Sequence, residues 1–476
     1  MLSASSQTVG NLVVALIAVG ILRITTHQLG PSDYGLFALV LTYVNLFSLI
    51  ADLGITAMTT RELARVDSDR HTILGTAMSS RVALSIFAIP VIIGTADLLY
   101  PTHGAQFRAA IAVMSLDVLF TTIQVTAGTA FAVHVRGEVI AGFNVANRLL
   151  YLIGVAVVVL LHGSYLGYVC AYVGADLTMA VVILLAARRL IPFHWVLDLR
   201  AWWRALTSAF PLGAIQLIGN VYSWVDSILL SVLRSSTELG FYSVAFNVVN
   251  VLGAVPSFLM QSLVPSLVQA DTEEITRLAN RAVYVLFCIG APLAVGGIVL
   301  SRDIVLVLAG PRFLPSTEPL AILAVTLPVS YLQIALGYTS VAIDRYRPLL
   351  LVGLGTLVVN IAVNLVLIPR FGPAGAASTL LGSEVVSLIA TYSVFRHLSG
   401  VRVRWIALWR PGLATGPVLA LAAAREHVWA NLNHFVALLV GGALVVAMYG
   451  LGLWILRGIP IELRRARVRH PGANQS

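Results

Sequence analysis

Lysine is absent from the sequence, and only two cysteines occur, Cys170 and Cys288, each within a long apolar run. Two isolated cysteines in such surroundings exclude a disulfide framework and a cysteine metal cluster. The sequence also lacks a glycine-rich phosphate loop with Lys, a His or Cys ligand spacing and a serine nucleophile elbow. We therefore expect no metal, no bound cofactor and no ATP bound to this chain, whereas use of an ion gradient stays open.

Charged side chains are also scarce. They make up 11% of the 476 residues, whereas hydrophobic residues make up 58%, and the mean hydropathy is +0.91. A soluble core of this size cannot hide so many apolar side chains, so lipid must solvate them. The composition therefore indicates a polytopic membrane protein.

Apolar runs long enough to cross about 30 Å of hydrocarbon cover nearly the whole chain. We predict an all-α membrane protein with about fourteen transmembrane helices. They are placed at 10–29, 35–58, 80–99, 107–132, 143–161, 165–187, 206–232, 240–265, 281–301, 315–342, 348–368, 374–396, 411–425 and 435–456.

Arginine positions predict the orientation. If the N-terminus is cytoplasmic, about 23 arginines, Arg81 among them, fall in inner loops and the tail, and about six fall in outer loops. Arg23 is the only arginine placed clearly inside a predicted helix. The split follows the positive-inside rule, so we expect a multi-pass plasma-membrane protein with both termini in the cytoplasm. The basic tail after Arg457 is expected to contact anionic membrane lipid rather than nucleic acid.

A weak internal repeat points to transport. Residues 32–45 recur at 237–250, about 205 residues downstream, with an acidic residue, Gly, an aromatic residue and Asn in register. Positions within 167–190 recur within 375–398 at nearly the same offset. Two similar bundles that rock about a midplane site are typical of transporters. The short loops leave no extramembrane domain for catalytic groups, so an enzyme is not expected.

Several segments carry a family resemblance: 29–35, 51–54, Arg61, 224–226, 239–245, Pro265, 359–365, 368–377 and Glu384. They resemble the opening, the seventh and eighth helices and the eleventh and twelfth helices of oligosaccharide flippases of the polysaccharide-synthesis (Wzx) type. The superfamily implied also holds multidrug exporters and peptidoglycan-precursor flippases. The resemblance implies two pseudo-symmetric six-helix lobes, 1–190 and 191–398, followed by a C-terminal helix pair and basic tail at 399–476.

The resemblance implies a lipid-linked oligosaccharide as the substrate, and its hydrated diphosphate head cannot cross hydrocarbon unaided. A polar cavity with Arg for phosphate and amide or hydroxyl groups for sugar would solve this problem. Asn and Gln also bond helices to one another in bilayers, so a structural role stays open for each. The candidate substrate-binding residues are Arg23, Asn45, Gln216, Tyr222, Asn247 and Asn250.

Four carboxylates inside predicted spans are candidates for a gate or for ion coupling: Asp117, Asp176, Asp226 and Glu384. Coupling needs a carboxylate whose occupancy differs between inward and outward states. Structural roles within a lobe stay open for Asp176 and Glu384. The repeat offset maps Arg23 close to Asp226, so Arg23 is predicted either to hold the diphosphate or to pair with Asp226 and latch the outer gate.

The sequence thus predicts a flippase that exports a polyprenyl-diphosphate-linked oligosaccharide across the plasma membrane by alternating access, for surface polysaccharide biosynthesis. A polysaccharide polymerase or glycosyltransferases are candidate partners. The alternatives are a multidrug or cation antiporter of the same superfamily and, with less support, a membrane-embedded enzyme of polysaccharide assembly.

Overall fold

The computed structural model describes residues 2–63, 69–133, 137–342, 347–420 and 433–458. These ranges are almost entirely helical and contain no strand. Within them, ten helices are long and apolar enough to cross a membrane. The predicted all-α membrane fold is therefore confirmed.

The helices of the first half of the chain are α1 (Leu2–Asp52), α2 (Ile55–Leu63), α3 (Arg70–Leu99), α4 (Ala105–Ser115), α5 (Asp117–Val133), α6 (Gly137–Leu160), α7 (Tyr165–Leu190) and α8 (Leu199–Leu233). Those of the second half are α9 (Ser236–Gly253), α10 (Val255–Gln269), α11 (Thr272–Leu308), α12 (Thr317–Ala324), α13 (Thr326–Ala342), α14 (Arg347–Ser399), α15 (Trp409–Leu413) and α16 (His434–Ile455). Each predicted span coincides with one or more helical segments, and residues 421–425 of the thirteenth lie outside the described residues.

Helices α1 and α14 each run through two predicted spans, the second span of α1 continuing into α2, and both helices are broken where the first span ends. The breaks lie at Gly30 and Gly372, whose φ angles are 71° and 54°. Glycine adopts positive φ without a Cβ clash, and the proline that follows each glycine has no N–H to lose at the start of the next helical segment. The order Gly-Pro therefore separates the two spans in both helices.

Side-chain caps define several helix starts. Asp69, Asp198 and Asn433 precede α3, α8 and α16, and each side chain accepts a hydrogen bond from a backbone N–H of the first turn. Such caps satisfy amide groups that have no partner within the helix. At Asp69, hydrogen bonds from the side chain and backbone of Thr72 lower the pKa of the carboxyl group.

The chain forms two compact units. The first comprises Met1–Val244, Leu308–Phe313 and Asn360–Ala376. Its core includes an apolar cluster around Leu63, Leu74, Met78 and Phe131, and a smaller one of Ile55, Ala77 and Ala209. The candidate contacts described below all lie within this unit.

The second unit comprises Ala245–Val307, Leu314–Val359 and Ala377–Ser476. Its core packs α11 against α16 through residues such as Val299, Val445 and Tyr449. An apolar cavity of about 540 Å³ lies among residues of α9, α11, α12, α13 and α16. The lobe boundaries expected from the sequence stay a prediction.

Candidate functional site

A backbone contact joins Gly35 on α1 to Gly240 on α9. A Cβ atom on Gly35 would lie 1.8 Å from the carbonyl oxygen of Ser236, and one on Gly240 would lie 2.2 Å from that of Pro31. Both distances are far below van der Waals contact, so only glycine lets the backbones approach this closely. Beside the contact, the Oγ atoms of Ser32 and Ser236 are 3.3 Å apart.

This contact is reciprocal across the internal repeat. Gly240 stands at the position of Gly35 in the second copy, and Ser236 stands at the position of Pro31. Each glycine therefore meets the carbonyl oxygen one helical turn ahead of its counterpart. A pseudo-twofold axis between the two glycines describes this arrangement, and it explains why the repeat carries glycine in register.

An aromatic group covers the Gly35–Gly240 contact. Phe313 is fully buried, and its ring packs edge-on against Tyr34 and Phe241, with centroids 5.8 Å and 6.2 Å away. Edge-to-face aromatic pairs favour this geometry because the positive ring edge meets the negative ring face. Three packed aromatic rings therefore lie beside the point where the two backbones meet.

A second glycine contact lies at the other end of the same helical segment. Leu53 and Gly54 form the turn between α1 and α2, with φ angles of 40° and 81°. A Cβ atom on Gly54 would lie 2.5 Å from the backbone N of Gly213 and 2.7 Å from the carbonyl oxygen of Ala209. A Cβ atom on Gly213 would lie 2.2 Å from the carbonyl carbon and oxygen of Leu53. The turn therefore rests directly on the backbone of α8.

The two contacts are separated by the thickness of a bilayer core. The α1 segment from Gly35 to Asp52 is about 26 Å long at 1.5 Å per residue, and α8 from Gly213 to Leu233 is about 30 Å long. Hydrocarbon is about 30 Å thick. The structure makes both contacts at once, so the α1 segment is tied to its neighbours at each end.

Asp226 lies on α8 between these ends and is 1% exposed. Its Oδ1 accepts a hydrogen bond from Asn364 Nδ2 at 2.5 Å, and the Tyr242 hydroxyl lies 3.5 Å from its Oδ2. Asn364 Nδ2 also donates to Asn360 Oδ1 at 3.0 Å. The carboxylate is thus held by α14 and α9, and the pairing of Arg23 with Asp226 stays a prediction.

Asp117 and Asp176 form a second buried polar group. Asp176 Oδ1 accepts hydrogen bonds from Asn147 Nδ2 at 2.5 Å and Gln124 Nε2 at 3.1 Å. Asp117 Oδ2 accepts one from the Thr121 hydroxyl at 3.2 Å. Among the described residues, Asp117 Oδ1 is buried without a hydrogen-bond partner. The group therefore joins α5, α6 and α7 and leaves one acceptor unused.

The other candidates are spread over both units. In the first unit, Arg23 and Gln216 are exposed, and Asn45 and Tyr222 are half-buried. In the second unit, Asn247 and Asn250 are exposed on α9, and Glu384 is half-buried on α14. Their roles as substrate ligands or coupling groups stay predictions.

The structure changes the placement of Arg81, and it adds Gly54 and Gly213 to the candidate site. Arg81 was expected in an inner loop, because its apolar run begins at residue 80, but α3 begins at Arg70 and Arg81 is 3% exposed inside it. Small polar residues upstream, such as Thr76 and Ser79, were the available sign that the helix extends further. Gly54 stands out in the sequence only within the family resemblance at 51–54, and no local pattern marks Gly213.

Comparison with protein families decides the classification. The family model described as "Polysaccharide biosynthesis protein" matches residues 3–271, more than half of the chain. The chain belongs to this family. A second family model, described as MatE, matches residues 211–366.

Individual relatives of this family member are distant. It is 29% identical over 180 residues to "Probable flippase AglR" of Haloferax volcanii, covering 36% of this chain and 37% of that protein. The match thus spans little more than a third of that relative's length. It is 20% identical over 382 residues to "Probable low-salt glycan biosynthesis flippase Agl15" of the same organism, covering 76% of each chain.

A solved structure shows the same fold. The lipid II flippase MurJ, in an inward closed conformation, superposes with a TM-score of 0.78 at 12% identity, covering 97% of this chain and 99% of that chain. At this identity the likeness concerns the fold alone.

The glycine contacts predict a position-specific effect of added methyl groups. Gly213→Ala should lower the free energy of unfolding by about 1–3 kcal/mol, because its Cβ would overlap the Leu53 backbone. Gly219→Ala on the same helix has open space around it and should be neutral or stabilising, since Ala is the better helix former. Thermal unfolding of the purified variants in detergent measures both, and equal melting temperatures would contradict the assignment.

The Asp226 network predicts non-additive mutations. Asn364→Leu should cost about 1–3 kcal/mol of unfolding free energy, because it leaves a buried carboxylate without its closest donor. Asp226→Leu combined with Asn364→Leu should cost less than the sum of the two single changes. Denaturant unfolding of the four proteins of this cycle gives the coupling, and additive effects would show that the two side chains act independently.

Proposed function

We propose that this protein is a flippase that exports a polyprenyl-diphosphate-linked oligosaccharide by alternating access, for surface polysaccharide biosynthesis. It acts without covalent change of the substrate, in the plasma membrane and with both termini in the cytoplasm. With this orientation, the Gly35–Gly240 contact lies at the outer end and is called the outer contact. The Gly54–Gly213 contact lies at the inner end and is called the inner contact.

The observation that carries the proposal is the pair of glycine contacts at the two ends of one bilayer-length segment. Alternating access requires that either end open while the other stays closed. Backbone contacts between glycines suit this task, because they close tightly with no side chain interlocked at the point of contact. Opening the outer contact would also part the Phe313 ring from Tyr34 or Phe241. Membership of the polysaccharide biosynthesis family and the flippase names of the relatives support the same substrate class.

Charge is supplied at a suitable depth by Arg23. It is exposed on α1, about two helical turns before the break at Gly30. A planar guanidinium grips phosphate oxygens and stays charged when partly dehydrated. Asn45, Gln216, Tyr222, Asn247 and Asn250 are proposed to contact sugar hydroxyl groups.

Ion coupling is proposed at the buried carboxylates. Asp117 Oδ1 has no partner among the described residues and lies in a group that also contains Asp176. The other candidates are Asp226, which accepts a hydrogen bond from Asn364 of α14, and Glu384, which lies on α14. A polysaccharide polymerase or glycosyltransferases are proposed to receive or supply the substrate.

A multidrug or cation antiporter is the second candidate function. The match of the MatE family model to residues 211–366 favours it. The antiporter would exchange a soluble cation for protons or sodium and would need no polyprenyl tail.

Flipping in proteoliposomes tests the proposal. A fluorescent lipid-linked oligosaccharide should change leaflet in the presence of the protein, without a change in its covalent structure. Arg23→Ala should slow flipping by roughly tenfold to a hundredfold, since a charge-assisted phosphate contact contributes about 1.5–3 kcal/mol. Arg277→Ala, which removes an exposed ion pair with Glu274, is the matched control and should flip at the normal rate. Drug–proton exchange without flipping would favour the antiporter, and a change in chain length would favour an enzyme.

A reversible cross-link tests the outer contact. In a background with Cys170→Ser and Cys288→Ser, the pair Ser32→Cys and Ser236→Cys should form a disulfide, because the native hydroxyl oxygens are 3.3 Å apart. The oxidised protein should stop flipping, and reductant should restore it. Each single cysteine variant should keep its activity under the same oxidant. Full flipping by the cross-linked protein would show that the outer contact need not open.

A further inference from the structure

Arg81 is a buried cation with an unusual set of partners. Its side chain is 3% exposed within α3. Nη2 lies 3.0 Å from Asp52 Oδ1, and Nη1 donates to the Thr56 and Thr126 hydroxyl groups at 2.7 Å each. Among the described residues, Nε has no acceptor. One guanidinium therefore links the end of α1, the start of α2 and the middle of α5.

Asp52 holds the turn that follows it. Its Oδ1 accepts hydrogen bonds from the backbone N–H of Thr56 at 3.2 Å and from the Thr56 hydroxyl at 2.5 Å. The carboxylate thus spans the turn made by Leu53 and Gly54, like a side chain that caps the start of α2. Removing it would free both ends of the turn.

The held turn is the one that makes the inner contact. Leu53 has a φ angle of 40°, which is strained for a residue with a branched side chain. Its carbonyl group and the N–H of Gly54 meet the backbone of Gly213. A turn in this conformation needs surrounding structure to hold it, because positive φ at a non-glycine residue is otherwise unfavourable.

Stability alone does not explain a buried Arg at this place. Burying an ion pair is costly, and apolar residues of similar volume often stabilise a fold as well or better. In the part of the chain that the structure describes, the Nε donor of the fork has no acceptor, so the network does not satisfy the whole guanidinium. Instead, two of the partners of Arg81 are Asp52 and Thr56, the residues on either side of the turn.

We propose that Arg81 is a positioning residue of the inner contact. Through Asp52 and Thr56 it ties the Leu53–Gly54 turn to α3 and α5. The turn then moves as one body with these helices, so the inner contact opens by separation from α8 rather than by local unfolding of the turn. The inference rests on the proposed function for the meaning of the inner contact, but not for the geometry of the turn.

Distance measurement between spin labels on α2 and α8 tests the proposal. Arg61 and Thr207 are exposed on these helices, so cysteines at both positions, in the background without native cysteines, accept labels. The parent protein should give one narrow peak for each state of the inner contact that is populated, closed or open, because the turn moves as one body with α3 and α5. Arg81→Met should broaden them, because Asp52 loses its cation and the turn loses its tie to α3.

An apolar replacement of the pair separates positioning from stability. Asp52→Leu combined with Arg81→Met removes both charges, so its melting temperature should stay close to that of the parent. If Arg81 acts by positioning, the distances in this variant should broaden, and flipping should slow at least about fivefold, the lower end of typical coupling between two sites. Narrow distances with normal flipping would overturn it.

Two further variants keep the test decisive. If the double variant does not fold, Asp52→Asn retains the shape of the side chain and should still broaden the distances, whereas an unchanged distribution would overturn the proposal. Glu274→Gln, which weakens the exposed ion pair with Arg277 on α11, should leave the distances unchanged. Because the distances need no substrate, a parent protein that fails to flip would refute the proposed function while leaving the positioning role testable.

Discussion

The close approach of two helix backbones at glycine is the constraint on which the first compact unit depends. At Gly35 and Gly240, and again at Gly54 and Gly213, the space for a side chain is filled by the backbone of the other helix. In a bilayer, lipid solvates apolar side chains as well as a neighbouring helix does, so association must come from close packing and polar contacts. Glycine provides the close packing, and glycine contacts fix the segment between Gly35 and Asp52 at both ends.

Polar groups buried among the helices provide the polar contacts. Asp226 is held by Asn364 from another part of the chain, and Asp176 is held by Asn147 and Gln124. In low dielectric an unsatisfied group is costly, so each such network selects one register of its helices. The polar networks lie along the helices, whereas the two glycine contacts lie at the two ends of the α1 segment from Gly35 to Asp52. Fixed interiors with ends that can separate would suit the alternating access proposed above.

Much of this architecture follows from the sequence, because the positions of the helices and their breaks depend on short stretches of consecutive residues. Apolar run length places the spans, and Gly30 and Gly372 fall in the gaps between predicted spans. The repeat placed Gly35 in register with Gly240, although not in contact with it. The pairing of Gly54 with Gly213 joins residues far apart in the chain, so no local pattern contains it. Arg81 was misplaced because a single charge at the edge of an apolar run is the usual sign of a helix end. In this protein the helix continues, since Asp52, Thr56 and Thr126 make the interior polar enough to hold a guanidinium.

The reciprocal arrangement of Gly35 and Gly240 has a consequence for ancestry. A surface in which each copy offers a glycine and receives the other's carbonyl oxygen is complementary to itself. Two separate chains carrying one copy each would associate through it as a symmetric homodimer, so the arrangement is the one that duplication and fusion of a self-associating half would leave. At the shared axis, a side chain on either glycine would part both backbones, so a substitution at one cannot be relieved by a change at the other.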